Sequence, residues 1–304
     1  MTALTAGTTT QDVEPVSVAQ AVAARYGVPA TEADAVAPGV ADALAALAAR
    51  TADSGERAAS ALDVQLAHRS VRAFLPDALP YHVLPTLVAA AQSAPSSSNL
   101  QLWSVVAVTD AARKDRIATV AGNQEHVREA PLLLVFVADT ARAGVLGGDV
   151  ELEGAQYLES TLVGAVDAAL AAQNAVVAAE ALGLGTVYLG AVRNDVEAVA
   201  AELGLPPGAV PVVGLVVGHP DPARPARVKP RLPQSAVLHH DTYDLAGQIP
   251  ALAAYEERIT SFYRAEGLEG GWSARVVERL RGHGSLRGRE RLRAAFTALG
   301  LASR

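Results

Sequence analysis

The sequence contains no cysteine. Disulfides, cysteine nucleophiles and thiolate metal sites are therefore excluded, whatever the compartment. Lysine is nearly absent as well: among the 25 Lys and Arg residues only Lys114 and Lys229 are lysine. Arginine counts alone carry little weight in such a chain. The N-terminus, MTALTAGTTTQDVEP, lacks a basic segment followed by an apolar run, so no signal peptide is expected and the protein is read as cytoplasmic. The longest uncharged run of its most apolar stretch, residues 168–179, falls well short of the roughly 20 residues that cross a bilayer. No membrane partner is expected. A net charge of −7 argues against a general nucleic-acid binder. A Ser, His and Asp nucleophilic set with a recognisable motif is also missing. His239, His240 and Asp241 are adjacent, and adjacent residues rarely ligate one ion together, so a surface loop and no metal site is expected there.

What the chain does have is bulk and grease. Its 304 residues, 50% of them apolar, suit one large domain with appendages, or two domains. The rest of the chain is organised around residues 158–190. Between Leu162 and Ala179 only Asp167, Gln173 and Asn174 interrupt small or apolar residues, which predicts a helix buried on nearly all sides. Its alanines and Gly164 leave room for a second helix or a second subunit. Gly183 and Gly185 supply the helix stop, and the β-prone TVYL follows at once.

Residues 1–60 are read as an acidic helical extension, partly disordered, with Arg25, Arg50 and Arg57 against seven Asp and Glu. Residues 61–245 form the core and 246–304 a C-terminal helical arm. Continuous apolar runs at 102–108, 131–138 and 211–218 predict strands covered on both faces, with helices on either side of a short central sheet. Three polar features stand out against this scaffold. His68, Arg69, Ser70 and Arg72 lie within five residues, a set of donors suited to an anion, although taken alone a solvated turn with ordinary surface arginines is the favoured reading. Ser96, Ser97, Ser98, Asn99 and Gln101 form a polar loop entering the first strand, either a ligand-facing loop or a plain connection. Lys229 and Arg231 sit among five prolines in residues 219–233, where the restricted backbone holds them in place.

HRSVRAF, the serine loop ending in NLQ, GNQEHV, AQNAVVAAEALGLGTVYLGAVRND and VKPRLP occur in this order. Together they strongly resemble the FMN-dependent nitroreductase family, most of all its NfsA-type, oxygen-insensitive NADPH nitroreductases and flavin reductases. The resemblance covers residues 62–264. It implies an α+β, nitroreductase-like fold: a central mixed β-sheet flanked by helices, with the long buried helix at the core of a homodimer. It also implies FMN as cofactor, NADPH or NADH as donor, and a small-molecule acceptor such as a nitroaromatic, a quinone or a flavin, reduced in a ping-pong cycle. By the same resemblance His68, Arg69, Ser70 and Arg72 contact the flavin phosphate, ribityl chain and ring edge, and Lys229 and Arg231 complete the phosphate clamp. Ser96, Ser98 and Gln101 match the family's serine loop. Gln124 would bond the pyrimidine edge of the ring, and the backbone of Tyr188, Leu189, Gly190 and Ala191 would border it near N5. The family carries a second glycine where Ala191 stands. Catalysis needs no further side chain, since the flavin N5 carries the hydride.

The C-terminal part departs from this pattern. The loop AEGLEGG places Glu266 and Glu269 where NfsA-type enzymes carry arginines for the NADPH 2′-phosphate, which favours a ribose hydroxyl and NADH. Beyond it lie seven arginines from Arg275 to Arg293 against Glu278 and Glu290, read as an arm packing on a partner subunit. Two other readings stay open: an FMN-dependent oxidase or dehydrogenase of specialised metabolism, and a flavin-binding protein without turnover.

Overall fold

The computed structural model describes residues 61–301, so the expected N-terminal extension lies outside the described residues. Four strands, Trp103–Val108 (β1), Leu132–Asp139 (β2), Gly185–Leu189 (β3) and Ala209–Gly218 (β4), pair in the order β1-β2-β4-β3, every neighbouring pair antiparallel. The parallel component of the expected mixed sheet is one bridge, Ser70 to Thr186.

Strand β2 explains how the molecule is layered. Its residues from Leu132 to Ala138 are all buried, and alternation sends them to opposite sides. Leu133 and Val135 pack with Ile117, Val127, Val199 and Leu203; Leu132, Leu134 and Phe136 pack with Leu87, Ala171, Ala172 and Val176. The helices follow from this division. Val83–Gln92 (α1) and the long Leu158–Ala181 (α4) cover one face, while Ala111–Val120 (α2), Glu125–Glu129 (α3) and Val196–Leu203 (α5) cover the other. Asp110 and Asp195 cap α2 and α5 by accepting from the backbone N–H three residues on.

Helix α4 corrects two expectations. Ala168, Ala171, Ala172, Ala175, Val176 and Ala179 press on the sheet, but Leu158, Leu162, Val166 and Leu170, one turn apart, stay exposed. Within one chain the helix is therefore buried on one side only. Gly164 serves the sheet rather than a partner, since a Cβ there would sit 3.0 Å from the Ala138 side chain and 3.2 Å from the Leu102 carbonyl. With 24 residues and a mean hydropathy of 1.6 over its best window, α4 could cross a membrane by length and composition. Asp167, buried in its middle and bonded to protein groups, identifies it as a core helix instead.

The two glycines after α4 divide the work. Gly183 takes φ +79°, and the Leu184 N–H reaches back to the Ala179 carbonyl at 2.9 Å, closing the helix as a left-handed cap. Gly185 acts by being small. A Cβ there would lie 2.8 Å from Val71 Cγ2, so its bareness lets the segment carrying Ser70 and Arg72 lie against β3.

After β4 the chain runs through the proline-rich loop into Ile249–Ala265 (α6), Trp272–Leu280 (α7) and Leu292–Ala298 (α8). Tyr255, Ile259 and Tyr263 of α6 make a small separate core with Leu232 and Trp272. The chain then folds back on its own sheet, where Leu301 is fully buried against Ala138 and Val210.

Candidate functional site

Residues 68–75 lie alongside β3 and the loop that follows β4. The Val71 N–H donates to the Thr186 carbonyl at 2.8 Å, the Leu75 N–H to the His219 carbonyl at 2.9 Å, and the Asp221 N–H to the Ala73 carbonyl at 3.0 Å. These bonds bring two distant basic motifs together. His68, Arg69, Ser70, Arg72, Lys229 and Arg231 line one cavity of about 360 Å³. The proline-rich loop is held from the far side by α6: the Tyr255 hydroxyl donates to the Pro230 carbonyl at 3.1 Å, and Lys229 Nζ lies 5.8 Å from the centre of the Tyr263 ring.

The cavity is electrostatically one-sided. Arg224 and Arg227 also line it, and the one carboxylate in its wall is Glu266, which pairs with Arg227 at 3.3 Å. Arg224 is neutralised by Asp221 at 2.7 Å and Glu129 at 3.3 Å. Lys229 is held below its ordinary pKa by burial first, then by the charges of Arg72, Arg231 and Arg275, with Glu266 opposing. The other lysine makes a useful contrast. Lys114 is also pushed down, by burial alone, and its Nζ donates to the carbonyls of Ala130 and Arg128 inside the fold. Lys114 is structural, whereas Lys229 is crowded by like charge at a cavity wall. A forked guanidinium set, an ammonium, a hydroxyl and an imidazole with so little compensating acid fit a phosphate group, whose charge would relieve the crowding.

The imidazole of His68 is tied at its other side. Its Nδ1 lies 2.7 Å from Glu180 Oε1 near the end of α4, and the same oxygen accepts from the Thr186 hydroxyl at 2.7 Å.

The remaining expected site residues do not line this cavity. The serine loop precedes β1, the far edge strand, and Trp103 pairs with Ala138 at the end of the sheet opposite Gly185 and Gly218. Asp167 governs that loop. It accepts from the Ser96 hydroxyl at 2.7 Å, the Leu102 N–H at 3.1 Å and the Ser97 N–H at 3.4 Å, and the Ser96 oxygen in turn accepts from the Gln101 N–H at 2.7 Å. Ser98, Asn99 and Gln101 all take positive φ, a conformation that needs such anchoring in residues with a Cβ. Gln124 sits at the N-cap of α3 and donates to the Ala121 carbonyl at 2.7 Å. Next to it, His126 is buried with an unpartnered Nε2, and burial and the charge of Arg72 keep its pKa low. Tyr188, Leu189, Gly190 and Ala191 end β3 and begin the turn after it. The Tyr188 hydroxyl donates to Gln173 at 3.2 Å, and burial together with Glu180 pushes its pKa up to about 12.

The motifs did not mark Arg224, Arg227, Glu180, His126 or Asp167 as site residues. For Asp167 a signal was present, as the single charge between Leu162 and Ala179; the others are ordinary in sequence and special only in position.

An antiparallel sheet sandwiched by helices, with a basic cavity at one edge, defines an α+β protein suited to hold an anionic cofactor or ligand. Residues 66–219 match the Nitroreductase family and residues 229–304 the Nitroreductase family, C-terminal domain. The chain is 37% identical to the NADPH-flavin oxidoreductase of Vibrio harveyi, over 73% of this chain and 91% of that protein. It is also 37% identical to the oxygen-insensitive NADPH nitroreductase of Salmonella typhimurium, over 68% of this chain and 83% of that one. Among solved structures, the NADPH:FMN oxidoreductase from Vibrio harveyi complexed with NAD+ superposes with a TM-score of 0.73 at 36% identity, covering 80% of this chain and 99% of that one. The chain belongs to the nitroreductase family.

Proposed function

We propose that the protein is an FMN-dependent oxidoreductase that takes hydride from NADPH or NADH and delivers it to flavin, nitroaromatic or quinone acceptors in a ping-pong cycle. The observation that carries this reading is the cavity in which His68, Arg69, Ser70, Arg72, Lys229 and Arg231 converge with little opposing acid. Relatives named FMN reductase, NADPH-flavin oxidoreductase and oxygen-insensitive NADPH nitroreductase support it.

When bound, FMN supplies the redox chemistry, accepting hydride at N5 and passing it on. The chain's own residues bind and orient. Arg69, Arg72, Lys229 and Arg231 offset the phosphate charge, Ser70 and His68 add directional donors, and Gln124 and the backbone of Tyr188, Leu189, Gly190 and Ala191 border the ring. The serine loop, with Ser96, Ser98 and Gln101, stands at the other end of the sheet from this cavity. The exposed Leu158, Leu162, Val166 and Leu170 stripe is an apolar face that a second copy would cover, and we read the working form as a soluble, cytoplasmic homodimer with its flavins at the subunit interface. The ion pair between Glu266 and Arg227 narrows the positive face offered to a dinucleotide, which favours a donor without a 2′-phosphate. Domain limits at 1–60, 61–245 and 246–304 complete the reading.

The decisive experiment is anaerobic. Purified protein is expected to be yellow or to take up FMN, and either nicotinamide should bleach the bound flavin rapidly. Parallel double-reciprocal plots with an added acceptor would mark the ping-pong order. Protein that stays colourless and refuses FMN overturns the proposal, and slow bleaching by both donors shifts it to an oxidase or dehydrogenase.

A further inference from the structure

The carboxylate of Glu180 accepts from two donors at once, His68 Nδ1 and Thr186 Oγ1, each at 2.7 Å. Its side chain is mostly shielded, with 14% relative exposure, and it is carried on the last turn of α4, next to the stretch from Ala168 to Ala179 that packs on the sheet. A carboxylate only accepts, so the nitrogen facing it must carry the proton. His68 lines the basic cavity, and with Nδ1 committed to Glu180 its Nε2 is the ring nitrogen left for a ligand there.

We infer that Glu180 is a positioning residue that fixes the ring of His68 with Nδ1 protonated and committed to the carboxylate, so that Nε2 is the ring nitrogen presented to the phosphate in the cavity. The inference rests on the flavin-site reading only for the identity of that phosphate; the hold of Glu180 on His68 stands on the geometry.

The charges around the imidazole make the arrangement consequential. Arg69 and Arg72 from its own segment, and Arg224, Arg227, Lys229 and Arg231 from the proline-rich loop, line the same cavity as His68, with Glu266 the acid in its wall. Asp63 and Glu180 line the smaller cavity behind it, together with Arg69. Without the carboxylate the Nδ1 contact is lost, and the ring is free to turn or to carry its proton on Nε2. Thr186 gives the matching control, because it touches the other side of the same oxygen and leaves the histidine contact in place.

Two measurements test this. In the first, the ring nitrogens of His68 are observed by 15N NMR in the FMN-loaded protein, with His68→Ala identifying the signals. Nδ1–H is expected in the wild type, and Glu180→Gln should populate the Nε2–H form as well. In the second, FMN and riboflavin, which lacks the phosphate, are titrated into apoprotein. Glu180→Gln should weaken FMN about 10-fold while leaving riboflavin unchanged, and Thr186→Val should weaken neither. A wild-type His68 protonated on Nε2 alone, or a Glu180→Gln protein whose His68 keeps the wild-type 15N signature, overturns the inference without needing the variant's affinity. If His68→Ala binds FMN normally, the placing of phosphate beside His68 fails, and the NMR result alone decides the role of Glu180. If His68→Ala weakens FMN and Glu180→Gln does not, the positioning role fails and the flavin site survives.

Discussion

The basic cavity and the serine loop are both polar, both exposed at the end of a strand, and built on opposite principles. In the cavity the charged groups repel one another: Lys229 is pressed by Arg72, Arg231 and Arg275, and its neighbours offer little acid in return. In the loop nearly every bond is already made, with Asp167 taking three donors and Ser96 passing one on. Unrelieved charge marks a place that expects a ligand; closed hydrogen bonds mark a place that has been fixed in shape. The loop's three left-handed residues are thus held for presentation, while the cavity is held for binding.

The sharpest way to break this contrast is to neutralise the cavity. Replacing both Lys229 and Arg231 with Ala should cost about 100-fold in FMN affinity, read by quenching of flavin fluorescence, since two charge-assisted contacts of roughly 1.5 kcal/mol each are lost. Next in size is Asp167→Ala. It strands the Leu102 N–H and the Ser96 hydroxyl, and should lower unfolding stability by about 2–3 kcal/mol in denaturant titrations. Flavin affinity should fall less than for the double variant; an equal fall would show that the loop binds as strongly as the cavity does. Gly185→Ala comes third. The new Cβ would meet Val71 at 2.8 Å and push the segment bearing Ser70 and Arg72 off β3, costing about 1–2 kcal/mol in stability. A Leu162→Glu change should place charge on the exposed stripe of α4 and shift the molecule toward monomer in sedimentation, without lowering thermal stability of the monomer.

The smallest effect concerns pH. Burial, and then Arg72, lowers the His126 pKa in the folded protein, so the unfolded chain binds more protons near its ordinary value of 6.5. The stability linked to His126 is therefore complete above about 6.5 and declines as pH falls through and below it. His126→Asn should flatten that slope in denaturation measured from pH 7.5 to 5.

Much of this was legible in the sequence because it depends on local pattern. The runs that became β1, β2 and β4 announced a sheet covered on both faces, and β2 fulfils this by sending Leu133 and Leu134 to separate cores. The pairing of His68–Arg72 with Lys229 and Arg231 was legible through the ordered motifs. Other features were not, because they depend on three-dimensional neighbours. In sequence, Gly164 and Gly185 suggest a dimer contact and a helix stop, and only the nearness of Ala138 and Val71 reveals what each one does. The apolar composition of α4 could not say which side faces the sheet, as nearly every position on it is small or greasy. Glu266 read as a departure from the family's loop, and the structure sets it across the cavity mouth on Arg227.

Helix α4 leaves the molecule with a mechanical economy. One rigid rod bears the greasy stripe along its outside, grips the serine loop through Asp167 near its middle, and steadies His68 through Glu180 at its tip. The outer stripe, the serine loop and His68 are thus placed relative to one another by a single stretch of backbone.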